Sequence, residues 1–153
     1  ILFPLYRLSL IGFGFTIALL LWLLIEHTRI GAIIRAGVSD AQMVSGLGIN
    51  TQLVFAAVFA LGTALAGLAG VIGAPVVNLY PGLDFEILIL TLAVVVVGGL
   101  GTLKGAFLGS VVIGMADTFG KALLPEFALF LIFTVMAAVL LLRPAGLVGL
   151  KGR

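Results

Sequence analysis

Long apolar runs without a charged side chain constrain this chain more than any other feature of its sequence. Residues 8–25 contain no Asp, Glu, Lys, Arg or His, and the same is true of residues 53–72. A helix needs about 20 such residues to cross the apolar interior of a bilayer. Charged residues make up only 9% of the chain, whereas a soluble domain carries about 25%. The chain is therefore predicted to be an integral membrane protein.

The hydrophobic segments also predict the fold class, an all-α, polytopic transmembrane helical bundle in a lipid bilayer. There are about five such segments, at residues 8–25, 53–72, 87–100, 106–116 and 127–142. The third segment, 87–100, is expected to be short or broken. Glycines interrupt it after 11 residues, and a span needs about 17–25.

The stretch 26–52 is the one long polar interruption, and its middle predicts a short helix. Ser39, with Gln42 three residues later, fits a capping box, in which each side chain satisfies the other's free backbone N–H. Gly48 fits the position just after a helix, where a positive φ is common. Two turns are too short to hold as a free helix in water, so we expect this helix to need a partner surface.

The short helix has an apolar face but few charges. Ala41, Val44 and Leu47 recur at every third position along it. A helix lying on a lipid surface would carry Lys and Arg on its polar face, and residues 40–48 contain neither. The partner is therefore predicted to be a protein. The candidate residues are Ser39, Asp40, Ala41, Gln42, Val44, Leu47 and Gly48.

Small residues recur every fourth position in two further places. One stripe lies in the second hydrophobic segment and the other follows the third. Two interpretations stay open: small residues let helix backbones approach closely, or the glycines form a broken helix that lines a translocation path. The candidate residues are Gly62, Ala66, Gly70, Gly98, Gly99, Gly101, Gly105 and Gly109.

The sequence lacks the residues of most catalytic and metal sites. There is no Cys, and His27 is the only histidine, so neither a Cys-based metal site nor a Ser/His/Asp set can be assembled. The glycine-rich stretch 98–106 does not fit a nucleotide loop, because Lys104 stands where a dinucleotide motif needs its third glycine. The phosphate-loop order Gly-Lys-Ser/Thr is absent too. We expect no catalytic residue, no metal, no cofactor and no enzymatic activity in this chain.

The eight Lys and Arg residues are interpreted as topology signals rather than as a nucleic-acid surface. With segment 26–52 in the cytoplasm and all five hydrophobic segments crossing the membrane, alternating spans place six of them inside and two outside, an excess typical of cytoplasmic loops. Segment 26–52 and the C-terminus are therefore predicted to be cytoplasmic. The six are Arg29, Arg35, Lys104, Arg143, Lys151 and Arg153, and the two are Arg7 and Lys121.

Asp117 is the one acid embedded in an apolar segment. Acids at mid-membrane depth are functional by default, but Asp117 lies near the end of its segment, so we expect a solvated outer rim. No other acid lies in the middle of a span, which argues against a proton- or sodium-coupled carrier. Energy for any transport would then enter through segment 26–52.

Four stretches of the sequence resemble one family. They are TRIGAIIRAGVSDAQMVSGLGIN, LAGLAGVIGAP, VVVVGGLGTLKGAFLGSVVIG and LLLRPAGLVG. In this order they resemble the LivH-type permease subunits of bacterial branched-chain amino acid ABC importers, more than the LivM-type companion. The resemblance covers about residues 28–149 and the family's C-terminal half. Because the chain opens on Ile1 rather than Met, we expect residues 1–153 to form a single transmembrane permease domain, the C-terminal portion of a longer permease.

The resemblance implies a multi-pass protein of the bacterial inner membrane that forms a translocation path and couples to a separate ATPase. The implied partners are a second, LivM-like permease subunit, two cytoplasmic ATPase subunits and a periplasmic substrate-binding protein. In this family the matching loop contacts the ATPase, which makes 26–52 a cytoplasmic coupling loop and 40–48 its coupling helix. Two alternatives stay open: a related permease for urea, short amides or sugars, and a membrane scaffold without a transport path.

Overall fold

The computed structural model describes residues 2–149, with side chains from Pro4 onward. This part of the chain is built of helices and contains no strand, which confirms the predicted all-α class. A short 3-10 turn, Pro125–Phe127, precedes the last helix. The helices are α1 Leu2–His27, α2 Arg29–Ser39, α3 Ala41–Gly46, α4 Thr51–Gly73, α5 Leu83–Gly98, α6 Leu103–Leu123 and α7 Ala128–Leu142.

Within residues 2–149, four stretches are long and apolar enough to cross a membrane, which confirms a polytopic membrane bundle. They are Pro4–His27, Thr51–Gly73, Leu103–Leu123 and Pro125–Leu142. Helix α5 has 16 residues and is about 24 Å long at 1.5 Å per residue. It is therefore shorter than the roughly 30 Å apolar core of a bilayer, as expected for the third hydrophobic segment. The fourth segment is longer than predicted, because the helix continues through charged residues at both of its ends.

The chain divides into two compact units, one ending at Leu79 and one beginning at Tyr80. In the first unit, α2 packs against α1, and α2 and α3 pack against each other and against α4. In the second unit, α5, α6 and α7 pack together around Ala93, Val97, Ile113 and Ile132, each at most 1% exposed.

Segment 26–52 is more ordered than the sequence predicted. It contains an 11-residue helix, α2, ahead of the expected short one. Thr28 begins α2 as its N-cap, because its hydroxyl accepts a hydrogen bond from the Gly31 amide at 3.2 Å. Arg29 and Arg35 made this stretch look like a loop, but charged residues are good helix formers on an exposed face.

The predicted capping box of the short helix is wrong. Asp40, not Ser39, is the N-cap of α3, and its carboxylate accepts from the Met43 amide at 3.0 Å. Ser39 is the last residue of α2, and its hydroxyl donates to the Arg35 carbonyl at 3.1 Å. Because α2 runs up to Ser39, the start of α3 moves one residue along the chain. Gly48 follows α3 with a φ of +84°, in the conformation expected of it.

Candidate functional site

Helix α3 is anchored inward by a single apolar side chain. Val44 is only 6% exposed and shares a small apolar groove with residues of α2 and of the start of α4. The expectation that this face has no core within the chain is therefore wrong for Val44, because the unpredicted helix α2 supplies one. The residues around the groove are Ile33, Gly37, Val44, Thr51, Val54 and Phe55.

The other apolar residues of this region point away from the chain. Met43 is 72% exposed and Leu47 is 76% exposed, and residues four apart on a helix lie on the same side. We call Met43 and Leu47 the outer face of α3. Both lie between two candidate spans, Pro4–His27 and Thr51–Gly73. Of the other candidates, Ala41 is half-buried, and Ser39, Asp40, Gln42 and Gly48 are exposed.

The junction of α1 and α2 is a close contact that the sequence analysis missed. Gly31 is buried, and a Cβ at this position would collide with the Ile25 carbonyl. Arg35 donates from Nη1 to the same carbonyl oxygen at 2.5 Å, and the Thr28 hydroxyl donates to the Leu24 carbonyl. The sequence does contain a signal for the start of α2. Thr28 is a good N-cap residue, and isoleucines at helical spacing follow it.

Three of the candidate glycines meet where α5 and α6 cross. Cβ atoms added at Gly98 or Gly105 would each collide with the other residue's carbonyl oxygen. A Cβ at Gly109 would lie 2.6 Å from the Val94 carbonyl oxygen and 2.9 Å from the Gly98 amide nitrogen. These distances are shorter than van der Waals contact, so the two backbones approach this closely only because side chains are absent.

The remaining small residues do not join that contact. Gly101 has a φ of +89° and lies in the turn before α6, so the predicted stripe from Gly101 to Gly109 is not a single helix face. In α4, Gly62, Ala66 and Gly70 are all exposed. No atom among the described residues of the first unit lies within 4 Å of a Cβ added at Gly62 or Gly70.

Gly99 is covered by the segment that follows α7. It has a φ of +94°, and an added Cβ would lie 2.7 Å from the Ala145 carbonyl oxygen. The Leu147 amide donates to the Val97 carbonyl at 2.8 Å, and the Val148 amide donates to the Gly98 carbonyl at 3.4 Å. The final carbonyls of α5, which have no partner inside the helix, are thus satisfied by the chain's own C-terminal segment.

A polar cluster joins the other ends of α5 and α6. Lys121 lies 2.8 Å from the Glu86 carboxylate and 3.0 Å from that of Asp117, and the Tyr80 hydroxyl donates to Glu86. This hydrogen bond to a carboxylate raises the pKa of Tyr80 above its ordinary value. Asp117, four residues before Lys121, is therefore ion-paired. The four-residue spacing of Asp117 and Lys121 predicts their ion pair within α6. It does not predict that Glu86 of α5 pairs with Lys121 as well.

These features are contacts between helices rather than reacting groups. No group of three His, Cys, Asp or Glu side chains in residues 4–149 is placed to hold a metal ion. The His27 ring meets the Trp22 ring edge-on, with centroids 5.0 Å apart. The arrangement presents an apolar surface on α3, packs α3 on α2 and α4, and holds α5 against α6.

Comparison with known proteins places these features in a family. Residues 3–140 match the family described as "Branched-chain amino acid transport system / permease component". The high-affinity branched-chain amino acid transport system permease protein BraD of Pseudomonas aeruginosa is 34% identical over 142 residues, which are 92% of this chain and 44% of that protein. The corresponding permease protein LivH of Escherichia coli is 36% identical over 139 residues, 88% of this chain and 44% of that protein.

An archaeal protein shows the same match at lower identity. The probable branched-chain amino acid transport permease protein LivH of Methanocaldococcus jannaschii is 29% identical over 138 residues, 84% of this chain and 44% of that protein. The chain thus spans less than half the length of these curated relatives. No solved structure matches it.

The crossing of α5 and α6 predicts opposite effects for two alanine substitutions in one helix. Gly109→Ala places a methyl group against the α5 backbone, and overpacking of this kind costs about 1–3 kcal/mol. Gly114→Ala meets no atom of the described chain within 4 Å and should be neutral or stabilising by up to about 1 kcal/mol, because alanine favours the helix. Thermal unfolding in detergent should show a lower midpoint for Gly109→Ala alone. Equal midpoints would contradict the close contact.

The two faces of α3 predict a second contrast. Val44→Ala removes buried apolar groups and should lower the free energy of unfolding by about 1–2 kcal/mol. Leu47→Ala changes an exposed side chain and should stay within about 0.5 kcal/mol of the parent protein. The measurement is thermal unfolding of the purified permease in detergent. A loss of stability in Leu47→Ala as large as that in Val44→Ala would show that both side chains are buried.

Proposed function

The chain belongs to the family of branched-chain amino acid transport system permease components, which matches residues 3–140, and we propose on this basis that it is a membrane-spanning permease subunit of an ATP-driven ABC importer for leucine, isoleucine and valine. It forms part of the translocation path in the bacterial inner membrane. Residues 1–153 are one transmembrane permease domain that corresponds to the C-terminal portion of longer relatives. The match covers three of the four motifs whose resemblance suggested this family, and it ends where the fourth, LLLRPAGLVG, begins.

The proposed partners follow from the family to which the chain belongs. Two cytoplasmic ATPase subunits supply the energy, in keeping with the lack of a nucleotide loop in residues 1–153. A second, LivM-like permease completes the path, and a periplasmic binding protein delivers the amino acid. The exposed stripe of Gly62, Ala66 and Gly70 on α4 suits a helix of another permease segment, because small residues allow close approach.

The observation that carries the proposal is the outer face of α3. Met43 and Leu47 are more than 70% exposed in a segment that lies between two candidate spans. Burying a side chain such as Leu47 in a partner's groove contributes roughly 1.5–3 kcal/mol. An amphipathic helix laid in an apolar groove is a recurring mode of recognition. We assign this face to the ATPase subunit.

Support for the amino acid as substrate comes from the relatives. The BraD and LivH proteins are named as branched-chain amino acid permeases. A scaffold without a transport path would explain the glycine contact between α5 and α6, but it gives no reason for an exposed apolar face on α3. Uptake of labelled leucine by vesicles carrying the assembled importer, with urea, a short amide or a sugar as competitors, tests the substrate class. Competition by urea but not by isoleucine or valine would overturn the assignment.

The orientation of the chain is predicted from its charges. Within the second unit, Lys104 lies in the first turn of α6 and Lys121 in its last turn. The six-to-two charge count supports a cytoplasmic segment 26–52 and a cytoplasmic C-terminus. Lys151 and Arg153, also in that count, lie outside the described residues. A reporter that is active only in the periplasm, fused after Arg153, should therefore be silent. Activity would show that segment 26–52 is outside or that α5 does not cross the membrane, and in either case the six-to-two charge count would not hold.

One substitution tests the docking of the ATPase. Leu47→Asp places a charge on the outer face of α3 and should release the ATPase subunits during purification and abolish substrate uptake. Membrane insertion and permease pairing should be unchanged, because Leu47 is exposed. Val44→Asp is a poor test, because Val44 is buried within the chain.

The matched control is Ser45→Asp. It adds the same charge to the same helix about 200° away from Leu47, at 100° per residue, and Ser45 is exposed. Normal copurification and uptake are expected for this variant. If Leu47→Asp also retains its ATPase subunits and near-normal uptake, α3 is not the coupling helix.

A further inference from the structure

The contacts of α2 bear on how a push on α3 reaches the membrane-spanning helices. Gly31 and Arg35 lie on α2, and both contact the Ile25 carbonyl in the last turn of α1. The last four carbonyls of a helix have no partner within it, and α1 ends at His27. Arg35 thus supplies a donor that Ile25 would otherwise lack. Its positive charge also lies at the negative end of the α1 dipole.

The other side of α2 faces α3 and α4. Gly37 is buried, and a Cβ there would lie 3.7 Å from the Phe55 ring of α4. Val44 of α3 shares the apolar groove with Ile33 of α2 and Val54 of α4. Helix α2 therefore lies between the last turn of α1 and the first turns of α4, and α3 rests on it.

Helix α3 is connected to α4 directly but to α1 only through α2. Helix α3 reaches α4 directly, through the groove around Val44. Its contacts with α1 run through α2, since α3 packs against α2 and α4, and α2 packs against α1. Within the described α1–α2 junction, Arg35 is the side chain that reaches back over ten residues to the α1 backbone.

We propose that Arg35 is a positioning residue that carries the displacement of α3 to α1, so that one docking event moves two spanning helices together. The inference rests on the proposed function, in which an ATPase binds the outer face of α3. Arg35 itself does not touch the ATPase or the transported solute. It fixes α2 to the end of α1 beyond their contact at Gly31, and without it less of a push on α3 reaches α1.

The test uses the complete importer reconstituted in vesicles, with ATP hydrolysis and leucine uptake measured together. Arg35→Met keeps an apolar stem and removes the charge and the donors. We expect normal copurification of the ATPase subunits and hydrolysis near the parent rate. Uptake per ATP hydrolysed should fall by about five-fold or more, the lower range of measured coupling between sites. Arg35→Lys restores a charge and a donor and should recover most of the lost uptake.

The outcomes separate this inference from the proposed function. Uptake per ATP in Arg35→Met equal to that of the parent overturns the role of Arg35. Loss of ATPase subunits, or of thermal stability that Arg35→Lys does not restore, also overturns it, because Arg35 would then act in docking or folding. None of these results bears on the proposed docking of the ATPase on α3. That docking is tested by the Leu47→Asp variant and is overturned if this variant retains its ATPase subunits.

Discussion

The last carbonyl groups of a helix have no donor within that helix, so another part of the chain, a ligand or water must supply one. Both units contain a helix end that meets this requirement with a tertiary contact. At the end of α1, Thr28 and Arg35 donate to the Leu24 and Ile25 carbonyls. At the end of α5, backbone amides of the segment after α7 donate to the last carbonyls. Each contact fixes the chain where one helix stops and another begins.

These contacts depend on glycine, because a donor reaches a helix end only if the backbones come close. Gly31 lets α2 approach the last turn of α1, and Gly99 lets the segment at Ala145 cover the end of α5. Gly105 and Gly109 then hold the start of α6 against α5 over the following two turns. In these places glycine removes a side chain that would separate two backbones, which is the use that membrane helices make of small residues.

The sequence predicted the parts of the fold that depend on composition over long windows. The apolar runs identified the spans, and the glycines after Val97 predicted that the third segment is short. Helix α2 was missed because Arg29 and Arg35 made residues 29–39 look like a polar loop. The capping error had the same origin, since Ser39 belongs to a helix that was not expected. Contacts distant in sequence, such as Lys121 with Glu86, have no local signal, because they depend on how α5 and α6 align.

The coupling role proposed for α3 depends on its having both an inner and an outer face. Six residues cannot hold a helix in water by themselves, so α3 depends on Asp40 as its cap and on Val44 as its anchor. The anchor fixes the helix to α2 and α4, and this leaves Met43 and Leu47 exposed in a defined position. A flexible loop with the same two apolar residues would lose conformational entropy on binding and would absorb a push instead of passing it on. Because α2 contacts both α1 and α4, the proposed docking on the outer face of α3 acts on two spanning helices.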